Sequence, residues 1–195
     1  HGINNRVELA QTEQRYQTSI RHKMMLLGVT LLDPETVYFS HDTIVGKDTV
    51  IYPNVFFGEN VIVGENVTIY SNCHLVNTCL GNQTKVGPFA HLREHTILKD
   101  KAEIGNFVEV KKSTLEYAAK AKHLAYLGDT MVGAKANIGA GVITCNYDGF
   151  SKHETKIGAG AFVGSNCALV APVSIGEEAI IGAGSIITKD VPGYA

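Results

Sequence analysis

The residues best equipped for chemistry gather between His123 and Lys152, in the stretch HLAYLGDTMVGAKANIGAGVITCNYDGFSK. It holds a histidine three residues before Tyr126, an N-I-G-A-G turn from Asn137, an N-Y-D-G corner from Asn146 and a terminal lysine. An imidazole, with a reference pKa of about 6.5, can take a proton from an amine near neutral pH. Earlier in the chain Arg93 and Lys111 stand eighteen residues apart, each one residue past an aliphatic. With Lys152 they make a cationic set of the kind that holds a phosphate group. Each residue also has a plain structural reading. Exposed Arg and Lys are ordinarily solvated surface, and a lone histidine is ordinarily structural. Asn137 could hold a corner in the left-handed region, and Tyr147-Asp148-Gly149 could be only a turn.

What must position these groups is a repeat. Aliphatic or aromatic residues recur every six positions at Val45, Ile51, Phe57, Val63, Ile69 and Leu75, and the phase then slips once. It resumes through Leu80, Val86, Leu92, Leu98, Ile104 and Val110, then through Tyr126, Val132, Ile138 and Thr144. A last run takes in Ile157, Val163, Leu169, Ile175, Ile181 and Ile187, with Ala161, Cys167, Val173, Ala179 and Ser185 four residues after its members. Glycine often follows directly, as at Gly46, Gly64, Gly87, Gly105, Gly139 and Gly164. A period of six is neither a helix nor a plain hairpin. It marks a parallel β-helix, with the aliphatics pointing inward and the glycines expected at corners where positive φ is useful. The segment 146–155 interrupts the period, and a loop extruded from a regular prism is a natural carrier of function. Ahead of the repeat, Leu9, Tyr16, Ile20, Met24 and Leu27 fall near one face of a helix over 7–27, capped by Asn4 or Asn5 and ended by Gly28. A lone amphipathic helix of this length must dock on something.

Composition narrows the classes of function. The 195 residues, 45% hydrophobic and 18% charged, fit one main folded domain with an appendage. A net charge of -2 argues against nucleic acid as the main partner, and no apolar run is long enough to span a bilayer. No charged-then-apolar leader opens the chain, which points to the cytoplasm. Cys73, Cys79, Cys145 and Cys167 form no C-x-x-C pair and read as reduced small hydrophobes.

The strings GINNRVELA, GVTLLDPET, GPFAHLR, IGNFVEVKKS, KHLAYLGD, ANIGAGVITCNYDG and FVGSN, in this order, resemble the hexapeptide acyltransferase family over nearly the whole chain. Within it they are similar to the branch that joins an acetyltransferase to a uridylyltransferase domain. The resemblance implies an all-β fold, a left-handed parallel β-helix over 28–195 with three hexads to a coil, preceded by one α-helix. The handedness is a family property that departs from the usual right-handed crossover. Residues 1–6 would be a remnant of the uridylyltransferase domain, in which Asn4 matches a magnesium ligand. With the rest of that site missing, neither metal nor uridylyl transfer is expected of this chain.

The activity implied is transfer of the acetyl group of acetyl-CoA to the amine of glucosamine 1-phosphate, a step toward UDP-N-acetylglucosamine, peptidoglycan and lipopolysaccharide. The resemblance assigns His123 as general base, with Glu109 near the amine or the histidine. It gives the sugar phosphate to Arg93, Lys111, Tyr126, Asn137 and Lys152, and the coenzyme to Ala140, Asn146, Tyr147, Ser165 and Ala183. It implies a homotrimer whose neighbouring chains line each site, and no nucleic-acid or membrane partner. Two departures from the family stand out: a first repeat region about one coil shorter, and a chain that stops at Ala195, short of a C-terminal segment whose basic residue contacts the coenzyme. The second leads to an expectation of weakened coenzyme binding.

The chemistry expected is direct attack. An ammonium has no lone pair, so the base must first remove its proton, and a backbone N–H at the Gly139–Ala140 turn suits the charge that develops on the thioester oxygen. Cys145 as a nucleophile is the lesser alternative, since no partner nearby in sequence activates it. Two other classes remain: a metal-dependent hydratase, whose histidine spacing His91, His95 and His123 do not reproduce, and a non-catalytic binding scaffold.

Overall fold

In the computed structural model, which describes residues 2–195, the repeat winds into a left-handed parallel β-helix of about nine coils behind one helix. His1, the first residue of the expected remnant, lies outside the described residues. Short strands stack into three parallel sheets of nine, nine and eight strands, here called A, B and C in the order each coil visits them. Among the described residues no helix is long and apolar enough to cross a membrane.

Coil length explains the phase of the repeat. Tyr38 pairs with Phe56 and Arg93 with Lys111, eighteen residues on, but His74 pairs with His91 and Lys111 with Gly128, one residue fewer. A corner loses a residue after Leu75, Val110 and Leu127, so the phase slips three times rather than once. One expected inward position is corrected by this. Leu127 is fully buried, and Tyr126 points outward from the strand Tyr126–Gly128. The other inward positions are filled as the period implies, by Phe39, Phe57, Ile69, Leu75, Leu92, Leu98 and Leu169 among others. Each fully buried aliphatic or aromatic side chain contributes about 1.5–3 kcal/mol. Burial also pushes the Cys73 thiol up to about 11, in keeping with a small hydrophobe.

The glycines serve a different purpose from the one expected. Gly87 has positive φ, but Gly46, Gly64, Gly105, Gly139 and Gly164 do not. Left-handed backbone falls instead on Asp48, Asn54, Asn60, Asn66, Asn72 and Asn77, with φ between 53° and 62°, where short polar side chains tolerate it. The directly following glycines are needed for close approach between coils. A Cβ on Gly46 would lie 2.6 Å from the carbonyl carbon of Gly64, and one on Gly164 would lie 2.6 Å from the Ala183 nitrogen. Asn137 likewise sits in the extended strand Asn137–Ile138 and holds no left-handed corner.

The helix α1 runs Arg6–Leu26, with the Asn5 side chain accepting from the Val7 and Glu8 N–H groups and Gly28 at φ +90° just past its end. Its docked face is Gln17, Ile20, Arg21 and Met24, whereas the expected Leu9, Tyr16 and Leu27 are exposed. Polar groups do the docking because the first strand of sheet B leaves backbone groups without a preceding coil to pair with. Gln17 Nε2 donates to the Phe39 carbonyl at 2.7 Å, and the Phe39 N–H donates back to Gln17 Oε1 at 2.9 Å. Arg21 Nε donates to the Val37 carbonyl at 2.8 Å. Gln17→Ala strands two buried backbone groups, each worth roughly 1–3 kcal/mol, and is expected to destabilise the chain by about 2–6 kcal/mol. A denaturant titration that finds Gln17→Ala as stable as the parent would show that the helix is held by Ile20, Arg21 and Met24 without the Gln17 bonds.

Candidate functional site

The chemistry-bearing residues lie at the two edges of sheet B. At the edge shared with sheet A, the strand Lys120–His123 pairs with Glu103–Asn106 so that His123 stacks on Asn106. His123 is exposed, and its Nδ1 lies 2.7 Å from Asn106 Oδ1. The amide oxygen can only accept, so Nδ1 carries the hydrogen and Nε2 keeps the lone pair of a base. Continuing the register of sheet A upward brings Ala140, Ser165 and Ala183 into the same column. The imidazole and a ledge of small side chains therefore share one edge of the prism. Within the Gly139–Ala140 turn the Gly139 N–H is bonded to the Val163 carbonyl at 2.8 Å, leaving Ala140 as the turn's available donor among the described residues.

A cavity of about 540 Å³ opens beside His123, lined by Tyr70, Lys85, Phe89, Asn106, Phe107 and Lys122 among others. Phe89 and Phe107 stack with ring centroids 5.1 Å apart, and they and Leu124 are largely exposed despite their left-handed backbone. Glu103, at the same cavity, is held below its ordinary pKa by the Lys122 ammonium at 2.7 Å.

The far edge of sheet B carries the cations. Arg93 and Lys111 stack in register, with Gly128 next in the column. Lys111 is almost fully buried and Arg93 is half-buried. Glu109 Oε1 accepts from Arg93 Nε at 2.8 Å and Nη2 at 2.7 Å, which draws the guanidinium back across the face toward the His123 edge. Glu109 is thus taken up by Arg93, while Asn106 holds the histidine. Burial works against the Arg93 charge, but Glu109 and Glu94 raise its pKa.

Above this column the interrupting segment forms a tight loop closed by an antiparallel bridge between Tyr147 and Lys152. Asp148 holds its tip, accepting from the Phe150 and Ser151 N–H groups at 2.8 and 2.7 Å, and lies 2.6 Å from His153 Nε2. Lys152 returns beside Lys111. Its pKa is pushed down by the hydrogen bond with Lys111 and by that ammonium's charge. Lys111 is held up as the other member of that bond and by Glu94. Asn146 is buried at the loop's root, donating to Asp129 Oδ2 at 2.6 Å, so its amide is a structural anchor rather than an exposed ligand group. Tyr147 is exposed, with its hydroxyl on the Gly149 carbonyl at 2.6 Å.

The structure brings Arg93, Glu109, Lys111 and Lys152 together, with Tyr126 in register beside Glu109. It sets Asn137 on the outer face of sheet A, apart from that cluster. Asn4 donates to Glu8 Oε2 in the helix cap. Among the described residues no group of three or more His, Cys, Asp or Glu is arranged to hold a metal. Among the described residues the Cys145 thiol reaches only its own strand's Ile143 carbonyl, at 4.0 Å. Three residues that sequence reasoning passed over matter here: Asn106, Glu94 and Gly128. A Cβ on Gly128 would lie 2.5 Å from the Tyr126 hydroxyl and 2.7 Å from Asn146 Nδ2. Asn106 was discoverable from its place one coil before His123, once coils of seventeen are recognised.

Residues 42–77 and 154–189 match the bacterial transferase hexapeptide family (six repeats). The chain is 56% identical over 97% of its length to the bifunctional protein GlmU of Sphingopyxis alaskensis, and 58% identical over 100% of it to GlmU of Chelativorans sp.. It spans 42% and 43% of those relatives, less than half their length. The solved UDP-N-acetylglucosamine acyltransferase of Campylobacter jejuni shares the fold with a TM-score of 0.58 at 14% identity, over 80% of this chain and 67% of that one.

Lys111→Gln removes the neighbouring charge that depresses Lys152. The Lys152 side chain should then titrate at higher pH, closer to an ordinary lysine. Side-chain NMR of labelled lysine reads this directly, and an unmoved Lys152 titration would show that the two ammonium groups do not interact.

Proposed function

The chain belongs to the bacterial transferase hexapeptide family, and on that premise we propose that it transfers the acetyl group of acetyl-CoA to the amine of glucosamine 1-phosphate. The observation that carries this reading is the pairing of a base with a phosphate clamp across one face. His123, with Nε2 as its basic nitrogen, stands at one edge of sheet B, and Arg93, Lys111 and Lys152 stand at the other. The column of Ala140, Ser165 and Ala183 above His123 offers a ledge of small side chains for the coenzyme's pantetheine arm.

In this mechanism Arg93, Lys111 and Lys152 hold the phosphate, and Tyr126 and Asn137 contact the sugar. His123 Nε2 removes a proton from the ammonium, and the freed lone pair attacks the thioester carbonyl. The Ala140 N–H stabilises the oxyanion, the C–S bond breaks, and coenzyme A leaves as thiolate, taking up the second proton that the nitrogen sheds as the amide forms. Asn106 keeps the imidazole in the tautomer that can accept. Tyr147 reaches the coenzyme from the loop. Asn146 serves it indirectly by fixing the loop's root, and Glu109 serves by orienting Arg93.

We place this step in UDP-N-acetylglucosamine synthesis in the cytoplasm, a reading supported by the resemblance to the bifunctional GlmU proteins. We propose a homotrimer, since the exposed Phe89, Phe107 and Leu124 edge beside His123 offers apolar area to a neighbouring chain and Asn137 stands away from the cations it would serve. Light scattering that finds a monomer at assay concentrations would rule this assembly out.

His123→Ala is expected to lower kcat by about 10²–10⁴ with little change in KM for glucosamine 1-phosphate. Turnover is followed by coenzyme A thiol release, and a variant that keeps most of its turnover would remove His123 from the base role. Arg93→Ala should weaken glucosamine 1-phosphate by about 1.5–3 kcal/mol while leaving unphosphorylated glucosamine nearly unaffected. Equal losses for the two sugars would mean that Arg93 does not read the phosphate.

A further inference from the structure

Glu94 lies between the two stacked cations. One carboxylate oxygen pairs with Arg93 Nη1 and the other lies 3.4 Å from Lys111 Nζ. This is the arrangement in which a phosphate ester would bridge the same two groups. The side chain is aimed there by its backbone, because Glu94 and His95 have φ of +50° and +63°, the only two consecutive non-glycine residues in the left-handed region among those described. The turn is held from three sides: the His95 N–H donates to the Asn77 carbonyl at 2.8 Å, the Lys112 N–H to the Arg93 carbonyl at 3.3 Å, and the buried Thr96 hydroxyl lies 2.7 Å from that same carbonyl. A polar residue in such a strained pair is a sign of a functional constraint.

The two partners differ in how firmly they are fixed. Lys111 is 5% exposed at its side chain and Glu94 is 51% exposed. Glu94 can therefore swing into water while Lys111 cannot follow. Arg93 would keep its orientation through Glu109, which grips its Nε and Nη2 independently. A phosphate dianion offers more charge and more acceptor oxygens than a carboxylate, so it can take over both cations, whereas a weaker anion competes poorly with a carboxylate already in place.

We propose that Glu94 is a specificity-determining residue that occupies the phosphate subsite and is displaced by the phosphate of the sugar, so that weakly held anions are excluded. The inference rests on the assignment of Arg93 and Lys111 to phosphate binding. Its cost is affinity, since each phosphate bound must first displace the carboxylate.

The test is titration of the whole chain with inorganic phosphate by calorimetry at constant ionic strength. Glu94→Gln should bind phosphate about tenfold more tightly than the parent and should bind sulfate measurably. Glu94→Asp, which keeps the charge but cannot span both cations, should also tighten binding, by less. Melting temperatures close to the parent's identify variants that fold, and a Glu94→Gln that misfolds leaves Glu94→Asp to decide. Unchanged or weaker phosphate binding in the folded variants overturns the proposal and makes Glu94 a fixed counter-ion. A Glu94→Gln, Lys111→Ala double variant separates the premise from the inference. If it binds phosphate as tightly as Glu94→Gln alone, Lys111 does not hold phosphate and the clamp itself fails. If it loses binding while Glu94→Gln alone gives no gain, only the displacement by phosphate fails.

Discussion

Every outward side chain of this prism is placed by the hydrogen bonds that join one coil to the next. Those bonds run at 2.7–3.4 Å from coil to coil, from the Thr30 N–H on the Thr49 carbonyl to the Ile180 N–H on the Ala195 carbonyl. They keep equivalent positions about 4.8 Å apart. The requirement is strict enough to decide residue types that no side-chain contact explains. Gly46 and Gly164 leave no room for a Cβ beneath the next coil, and in the early coils asparagine takes a run of corners, Asn54, Asn60, Asn66, Asn72 and Asn77, where the backbone turns left-handed. Function is built from the same stacking, because a residue's column fixes its neighbours. Asn106, His123, Ala140, Ser165 and Ala183 make one column, and Arg93, Lys111 and Gly128 make another.

Stacking like charges has an energetic cost. Two cations 4.8 Å apart repel by about 3 kcal/mol at the effective dielectric near a protein surface. Lys111 is also largely out of water, which penalises its charge further. The chain offsets both effects with carboxylates: Glu109 on Arg93, Glu94 between Arg93 and Lys111, and Asp129 near Lys111 and Lys152. These acids hold a positive cluster in a chain whose net charge is -2. The cations therefore persist as a preorganised pair rather than a mobile surface charge, and the uneven exposure of the three acids decides which can give way.

Much of the fold was legible because an inward position asks only for an apolar side chain, and the six-residue period marks those positions by type alone. The period could not reveal coils of seventeen. AYLG offers two inward candidates, and only the shortened corner selects Leu127 over Tyr126. The glycine positions were visible, but their reason was not, since close approach between coils is a distance and leaves no mark of its own in sequence. Helix α1 misled for a related cause. Its docking partners are the unpaired backbone groups of the first coil, so Gln17 and Arg21 are buried where an apolar stripe would have been sought. The cationic column followed from counting eighteen. Glu94 did not, because a turn aims it back at Arg93 and spacing along the chain carries no such direction.

The interrupting loop shows how an irregular segment can be added to so regular a frame without loosening it. Its root is tied into the stack: Asn146 bonds the buried Asp129, the His153 N–H donates to the Asn146 carbonyl at 2.8 Å, and the Thr155 N–H returns to the Asp129 carbonyl at 3.1 Å. Asp129 also meets Lys112 Nζ at 3.3 Å, so one corner residue joins the loop to the coil below it. The tip is fixed differently, by local bonds that need nothing from the prism, with Asp148 accepting from Ser151 and Phe150 and facing His153. The N–H of Ser151, then His153 and the N–H of Phe150, hold its carboxyl well below the usual carboxylate range, so the turn keeps its acceptor in neutral solution. With both ends specified, the intervening strand has little choice but to carry Lys152 to Lys111 and to leave Tyr147 in solvent. A lysine placed directly in the next coil would have had to stack on Lys111 without a turn to hold it. An anchored loop delivers the third cation from the side, beside Lys111, where the anion that needs it can still enter.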